Sequence, residues 1–153
     1  MEKRELKLDY WVYTKTYPVE YREICEKAVE ATGRSYSIYS GFSVGAAVLL
    51  DSGEVFTGAN QENVAYPSGL CAERTVLFYV GANRPDVAIK AMAIAACYRG
   101  ELTADYISPC GACRQVMAEV IKRYGKDFDV ILIGNQETIL LKASALLPFA
   151  FDF

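Results

Sequence analysis

The chain contains no histidine. Within one chain, that absence excludes a Ser-His-Asp triad, a Cys-His dyad, a two-histidine metal site and imidazole acid–base chemistry. Any metal must be held by thiolates and carboxylates. A surplus of positive charge is also missing: 16 Lys and Arg stand against 19 Asp and Glu, a net charge of −3. A protein that grips a polyphosphate backbone carries a basic surplus or stripe, so nucleic acid is not an expected partner. Long hydrophobic runs are lacking too. The longest uncharged stretch, residues 35–50, is interrupted by four serines. It falls short of the ~18 apolar residues of a membrane span, so no membrane association is expected. Met1-Glu2-Lys3-Arg4-Glu5 has no apolar secretory core, and no Asn-x-Ser/Thr sequon occurs. The expected location is the cytoplasm, where thiols stay reduced. An odd count of five cysteines also fits a disulfide framework poorly.

What is present describes one folded domain. The 153 residues are 52% hydrophobic and 23% charged, which excludes a disordered chain. Residues 1–17 read as an aromatic-rich arm (Tyr10, Trp11, Tyr13, Tyr17) packed on the body or on a partner, with residues 18–153 as the body. A helix is predicted from Pro18 to about Thr32, with Tyr21, Ile24, Cys25, Ala28 and Val29 at helical spacing and Gly33 ending it. Residues 43–50 and 54–59 read as strands around an Asp51-Ser52-Gly53 turn, followed by a loop over residues 60–68. Residues 70–79 are apolar nearly all round and predict a buried helix. Residues 88–98 predict a strand buried on both faces. Ser108-Pro109 predicts a capped helix start, running to Tyr124. Strands over residues 128–133 and 138–141 and a short helix over residues 144–147 complete the pattern. Helices alternating with fully apolar strands imply a mixed sheet covered on both faces.

The chemistry sits in the cysteines. Cys110 and Cys113 lie three apart in the first turn of a predicted helix, so both sulfurs share one side. Cys71 begins another helix. Helix N-termini favour thiolate. Three thiolates from two helix starts can supply three corners of a tetrahedral zinc site and leave the fourth for water. On spacing alone, Cys110-x-x-Cys113 also suits a redox pair, half of a structural zinc site or two packed cysteines. Cys25 and Cys97 fall in apolar patterns and read as core. Glu73, two residues past Cys71, suits a proton carrier beside a metal-bound water, and equally a favourable charge on a helix N-terminus.

The combination of Cys71-x-Glu73 with Pro109-Cys110-Gly111-Ala112-Cys113 follows the pattern of zinc deaminases. Four separated segments carry a more specific likeness. They are residues 39–47 (Tyr39-Ser40-Gly41-Phe42-Ser43-Val44-Gly45-Ala46-Ala47), Gly58-Ala59-Asn60-Gln61-Glu62-Asn63, Cys71-Ala72-Glu73-Arg74-Thr75 and Ser108-Pro109-Cys110-Gly111-Ala112-Cys113-Arg114-Gln115-Val116. With the tail Leu146-Leu147-Pro148-Phe149-Ala150-Phe151, the chain from about residue 20 onward resembles the cytidine deaminases of the small, homotetrameric, three-cysteine type. Gly41 stands where that family commonly has Lys.

The resemblance implies a three-layer α/β/α fold with a five-stranded mixed sheet. Counting the predicted strands in chain order, the sheet order is 2-1-3-4-5 with strand 1 antiparallel. It implies zinc-dependent deamination of cytidine and 2'-deoxycytidine to uridine and 2'-deoxyuridine, a pyrimidine-salvage reaction. Cys71, Cys110 and Cys113 would hold one Zn²⁺ per subunit. Glu73 would move a proton from the water nucleophile to N3 of the base while ammonia leaves C4. Asn60 and Glu62 would bind the ribose, Phe42 would line the base or sugar site, and the Ala72 N–H would contact the base carbonyl. Phe151 would reach the pocket of a neighbouring subunit in a homotetramer whose sites are shared. The nucleoside is then the expected partner. Phe149, Phe151 and Phe153 on one short tail need burial somewhere. Three thiolates around Zn²⁺ leave a formal charge of −1, which opposes acidifying the water. The helix N-termini and the cations of Arg74 and Arg114 can offset it, and the resemblance places Arg74 on a ligand sulfur. Two other readings compete. One is deamination of a different cytosine nucleoside such as blasticidin S, which the Asn60 and Glu62 pair disfavours. The other is a non-catalytic zinc-stabilised domain, which requires a fourth protein ligand.

Overall fold

The computed structural model describes residues 1–152; Phe153 lies outside the described residues. Strand β1 (Tyr10–Thr14) precedes helix α1 (Arg22–Ala31), which is flanked by 3₁₀ turns at Val19–Tyr21 and Thr32–Arg34. Strands β2 (Phe42–Leu50) and β3 (Val55–Ala59) form a hairpin, and helix α2 (Ala72–Asn83) follows. Strands β4 (Ile89–Tyr98) and β5 (Glu101–Leu102) lead to helix α3 (Gly111–Tyr124). Strands β6 (Asp129–Ile133) and β7 (Glu137–Lys142) end in a 3₁₀ turn at Ala143–Leu146.

The sheet runs β1-β7-β6-β4-β2-β3, with β5 paired to the end of β4. It therefore has seven strands, where the resemblance implied five. The two additions are the aromatic segment, which pairs with β7 from Tyr10↔Leu141 to Thr14↔Glu137, and the two-residue β5. The expected direction of the last strand also needs correction. β4 and β6 are parallel, but β7 runs antiparallel to β6, as β2 does to β4. Only residues 134–136 separate β6 from β7, and so short a link can make a hairpin but not a parallel crossover.

Helices cover both faces of the sheet. On one, Tyr21, Ile24, Cys25 and Ala28 of the α1 region pack on Ala47, Ala91, Ala93 and Ala95. On the other, Val76, Leu77 and Val80 of α2 and Met117 of α3 pack on Val48, Met92 and Leu132. The small residues under α1 let the helix backbone approach the sheet. A Cβ on Gly45 of β2 would lie 2.2 Å from the Ala28 carbonyl and 2.6 Å from the Thr32 nitrogen. Backbone cannot rotate away as a side chain can. Gly45→Ala is accordingly expected to cost about 3 kcal/mol, at the upper end of overpacking, read as a lowered urea midpoint at unchanged slope. A wild-type midpoint would show that α1 can lift off the sheet without loss.

Two local expectations also change. Helix α2 is not buried all round: Ala72, Glu73, Val76, Leu77 and Val80 face inward, while Phe78 and Tyr79 are exposed. Ser108 does not cap α3. Cys110 is itself in extended backbone (ψ 166°) at the N-cap, so the helix starts only at Gly111 and Ser108-Pro109 belongs to the segment leading into it. Cys25 is buried, and burial pushes its thiol up to about 12. Cys97 is half-buried and accepts a 3.4 Å bond from the Thr32 hydroxyl. Among the described residues, no helix is long and apolar enough to cross a membrane.

Candidate metal centre and active site

The N-termini of α2 and α3 meet at three sulfurs. Cys71 occupies the N-cap of α2 and Cys110 that of α3, and neither cap is closed by a side-chain hydrogen bond. Cys113 sits in the first turn of α3 and is buried. Cys71 Sγ lies 3.9 Å from Cys110 Sγ, and Cys110 Sγ lies 3.5 Å from Cys113 Sγ. All three lie within 4.8 Å of one another. A tetrahedral site with Zn–S bonds of about 2.3 Å has S···S edges of about 3.8 Å, so the three sulfurs fit three corners of one ion. Among the described residues, no fourth Cys, Asp or Glu joins this group.

The electrostatics favour thiolate at its entrance. A hydrogen bond from Cys113, with further bonds from the Arg74 guanidinium and Cys110, lowers the Cys71 thiol to about 5 against burial. Cys113, bonded to Cys71 and desolvated, holds its proton more tightly. Arg74 Nη2 donates to Cys71 Sγ at 3.6 Å, and its buried Nε has no hydrogen-bond partner among the described residues. Glu73, 5% exposed, lies one residue into the helix from Ala72. Burial raises its carboxyl above the ordinary range, and the neighbouring Cys71 charge adds to that.

A pocket of about 430 Å³ opens onto Cys71 and Arg74 and is walled by Asn60, Glu62, Tyr39 and Tyr66. Asn60 is locked by its neighbours. Its Oδ1 accepts from the Ser35 hydroxyl at 2.5 Å and the Val44 N–H at 2.8 Å, and its Nδ2 donates to the Phe42 carbonyl at 2.9 Å. Glu62 accepts from the N–H groups of Tyr39 (2.9 Å) and Ser40 (3.3 Å) and from the Ser40 hydroxyl. These bonds, the Ser40 hydroxyl foremost, lower its carboxyl.

The pocket thus brings together Asn60, Glu62, Cys71 and Arg74 of the sequence-predicted residues. Ala72 and Glu73 are buried behind Cys71. Phe42 begins β2 and touches the site through its carbonyl on Asn60. Phe151 lies elsewhere, in a hollow beside Lys122, Ser144 and Leu147. Arg114 points away from the sulfurs, donating to the Pro109 carbonyl at 2.8 Å and the Leu146 carbonyl at 2.9 Å. It fastens the segment before Cys110 to the C-terminal turn. Sequence reasoning missed Ser35, Ser40, Tyr39 and Tyr66. Tyr39 and Ser40 border Gly41, whose φ of +66° marks a tight turn, and that glycine was the available signal.

Two helix starts converging on three thiols, beside a buried carboxylic acid and an open pocket, define a zinc-binding deaminase domain. Residues 19–124 match the family described as the cytidine and deoxycytidylate deaminase zinc-binding region. The chain belongs to this family, that of the cytidine deaminases. It is 42% identical over 130 residues to a cytidine deaminase of Halalkalibacterium halodurans, spanning 84% of this chain and 91% of the relative. It is 37% identical over 135 residues to one from Sporosarcina psychrophila, spanning 88% and 93%. The crystal structure of a cytidine deaminase from Burkholderia pseudomallei superposes with a TM-score of 0.71 at 37% identity, covering 84% of this chain and 97% of that one. The zinc-binding family and the three-sulfur cluster together fit one Zn²⁺ per subunit.

Proposed function

We propose that the chain deaminates cytidine and 2'-deoxycytidine hydrolytically, with Cys71, Cys110 and Cys113 as the zinc ligands and Glu73 as the proton carrier. The observation that carries this reading is a buried carboxyl with a raised pKa, placed beside three clustered sulfurs. Cys71, Cys110 and Cys113 would hold the zinc, which when bound would acidify a water and so supply a nucleophile at neutral pH. The Glu73 carboxylate takes up the proton which that water loses and delivers it to N3 of the base. Its burial favours the neutral acid, which is the form that must donate. At C4 a C–O bond replaces the C–N bond, and nitrogen leaves as ammonia.

The rest of the site binds and orients. Asn60 and Glu62, held by Ser35, Val44, Tyr39 and Ser40, face the sugar with fixed polarity. Such a pair rejects analogues that lack the matching hydroxyl. The Ala72 N–H, free at a helix N-terminus, meets the base carbonyl, and Phe42 lines the nucleoside. Phe151, 70% exposed, reaches the pocket of a neighbouring subunit in a cytoplasmic homotetramer. The exposed Phe78 and Tyr79 on α2 supply apolar surface for that assembly. A purely structural zinc site is disfavoured, because it would be closed by a fourth protein ligand.

The direct test incubates the zinc-loaded protein with cytidine and follows loss of cytosine absorbance together with ammonia release. Product with stoichiometric ammonia supports the assignment, and no turnover of either nucleoside overturns it. Arg74 has its own test. Removing the guanidinium that bonds Cys71 is expected to cost about 10–100-fold in zinc affinity or turnover. Chelator competition and kcat for Arg74→Ala, with partial recovery in Arg74→Lys, measure it. Unchanged zinc retention, rate and pH profile remove the role.

A further inference from the structure

The edge strand β1 carries a surface that the proposed reaction does not use. Leu6 and Leu8, just before β1, and Tyr10 and Val12 within it alternate with Lys7, Asp9, Trp11 and Tyr13, a period-2 pattern that sets the first four on one face once residues 6–9 extend the strand. Among the described residues these four stay uncovered, at 60%, 49%, 58% and 50% exposure. The face is continuous with the core. Tyr10 and Val12 stand opposite Leu141 and Ile139 of β7, which pack in the layer beneath α2 and α3.

The backbone is open on the same edge. The Lys15 N–H bonds the Gln136 carbonyl. By the two-residue repeat of the pleat, the N–H and C=O groups of Trp11 and Tyr13 then point to β7, and those of Tyr10, Val12 and Thr14 point outward. β1 ends the sheet, so among the described residues these groups meet no strand. Soluble proteins usually break such an edge with proline or a bulge, or point charges inward from it. Here no proline lies between Met1 and Thr14.

We propose that a second copy of this chain pairs its residues 6–14 antiparallel with this edge, about a two-fold axis at Tyr10. The sequence is self-complementary in that register. Leu8 faces Val12 and Leu6 faces Thr14 on the apolar face. On the other face Lys7 meets Tyr13 and Asp9 meets Trp11. No like charges stand opposite each other, which matters because directly opposed like charges destabilise a strand pair. Neighbouring registers fail. An axis at Trp11 carries Leu6 beyond the strand to Thr16, an axis at Asp9 sets Asp9 on itself, and an axis at Val12 carries Leu6 to Pro18. The contact is isologous, so it closes as a pair of edges. It uses a different surface from the Phe78 and Tyr79 face and is independent of the reaction assigned above.

Two measurements on the zinc-loaded, full-length protein test this. In sedimentation, the Tyr10→Lys/Val12→Lys double variant is expected to show half the wild-type mass at equal concentration, with zinc content and cytidine turnover unchanged. The second reads the register without disrupting the strand. Tyr10→Cys is expected to form a covalent dimer under mild oxidant, because hydrogen-bonded antiparallel partners lie about 5.5 Å apart at Cα, within disulfide range. Trp11→Cys, facing Asp9, is expected to stay uncrosslinked beyond the wild-type background. Equal masses for wild type and the double variant overturn the pairing, and equal crosslinking at positions 10 and 11 overturns the register.

Discussion

Glu73→Gln is expected to lower kcat for cytidine deamination by about 10³-fold, within the range for loss of a general acid–base, while zinc remains bound. Gln keeps the volume and can still hydrogen-bond, so the 5% exposed site neither collapses nor opens. What is lost is the ability to take up a proton and release it. At about 1.4 kcal/mol per decade, the loss corresponds to about 4 kcal/mol of transition-state stabilisation. Zinc should stay because Glu73 is not among the clustered sulfurs that fit the ion. Steady-state kinetics beside metal analysis of the same preparation decide the matter. A variant within tenfold of wild type would place the proton transfer on another group.

Cys110→Ala is expected to drop zinc content from one ion per chain to near zero, with activity falling in proportion. Cys110 separates metal loss from damage to packing better than Cys113. Cys110 is exposed and caps the helix, whereas Cys113 is fully buried, and its truncation would also open a cavity. The remaining thiols, Cys71 and Cys113, share one hydrogen bond, and two ligands hold an ion far more weakly than three. Metal analysis after dialysis, together with far-ultraviolet circular dichroism, reads both effects. Stoichiometric zinc in a folded Cys110→Ala protein would remove Cys110 from the ligand set.

The parts of the fold that could be read from sequence are those where burial dictates residue type. β4 lies in the middle of the sheet and is almost wholly apolar. Gly45 and Ala47 record the close approach of α1. The metal centre was legible for a related reason: thiolate chemistry demands cysteine, and helix starts leave recognisable spacing. What escaped was set by partners distant in the chain. β1 is half exposed and finds β7 some 130 residues later (roughly the whole body of the domain), so its local alternation does not name the strand it joins. β5 has two residues and no periodicity to detect. The pairing of Glu62 with Tyr39 and Ser40 depends on two loops meeting, which no spacing rule encodes. Arg114 reads as an electrostatic partner for the sulfurs by adjacency, yet helical rotation turns it toward the Leu146 carbonyl.

The unusual caps of α2 and α3 tie the metal to local order. An ordinary helix closes its first turn with a Ser, Thr, Asp or Asn oxygen; here both N-cap positions are cysteines without a side-chain bond. The first-turn amides at Ala72, Gly111 and Ala112 have no partner within their helices and lie at the two helix ends that carry the sulfurs. Ion occupancy and the closure of these two turns therefore form a single thermodynamic unit. Withdrawing the ion is expected to loosen the first turns of both helices and to leave the sheet beneath them intact. In hydrogen exchange, these amides would lose protection together, as one opening event, while those of β4 and β6 keep theirs.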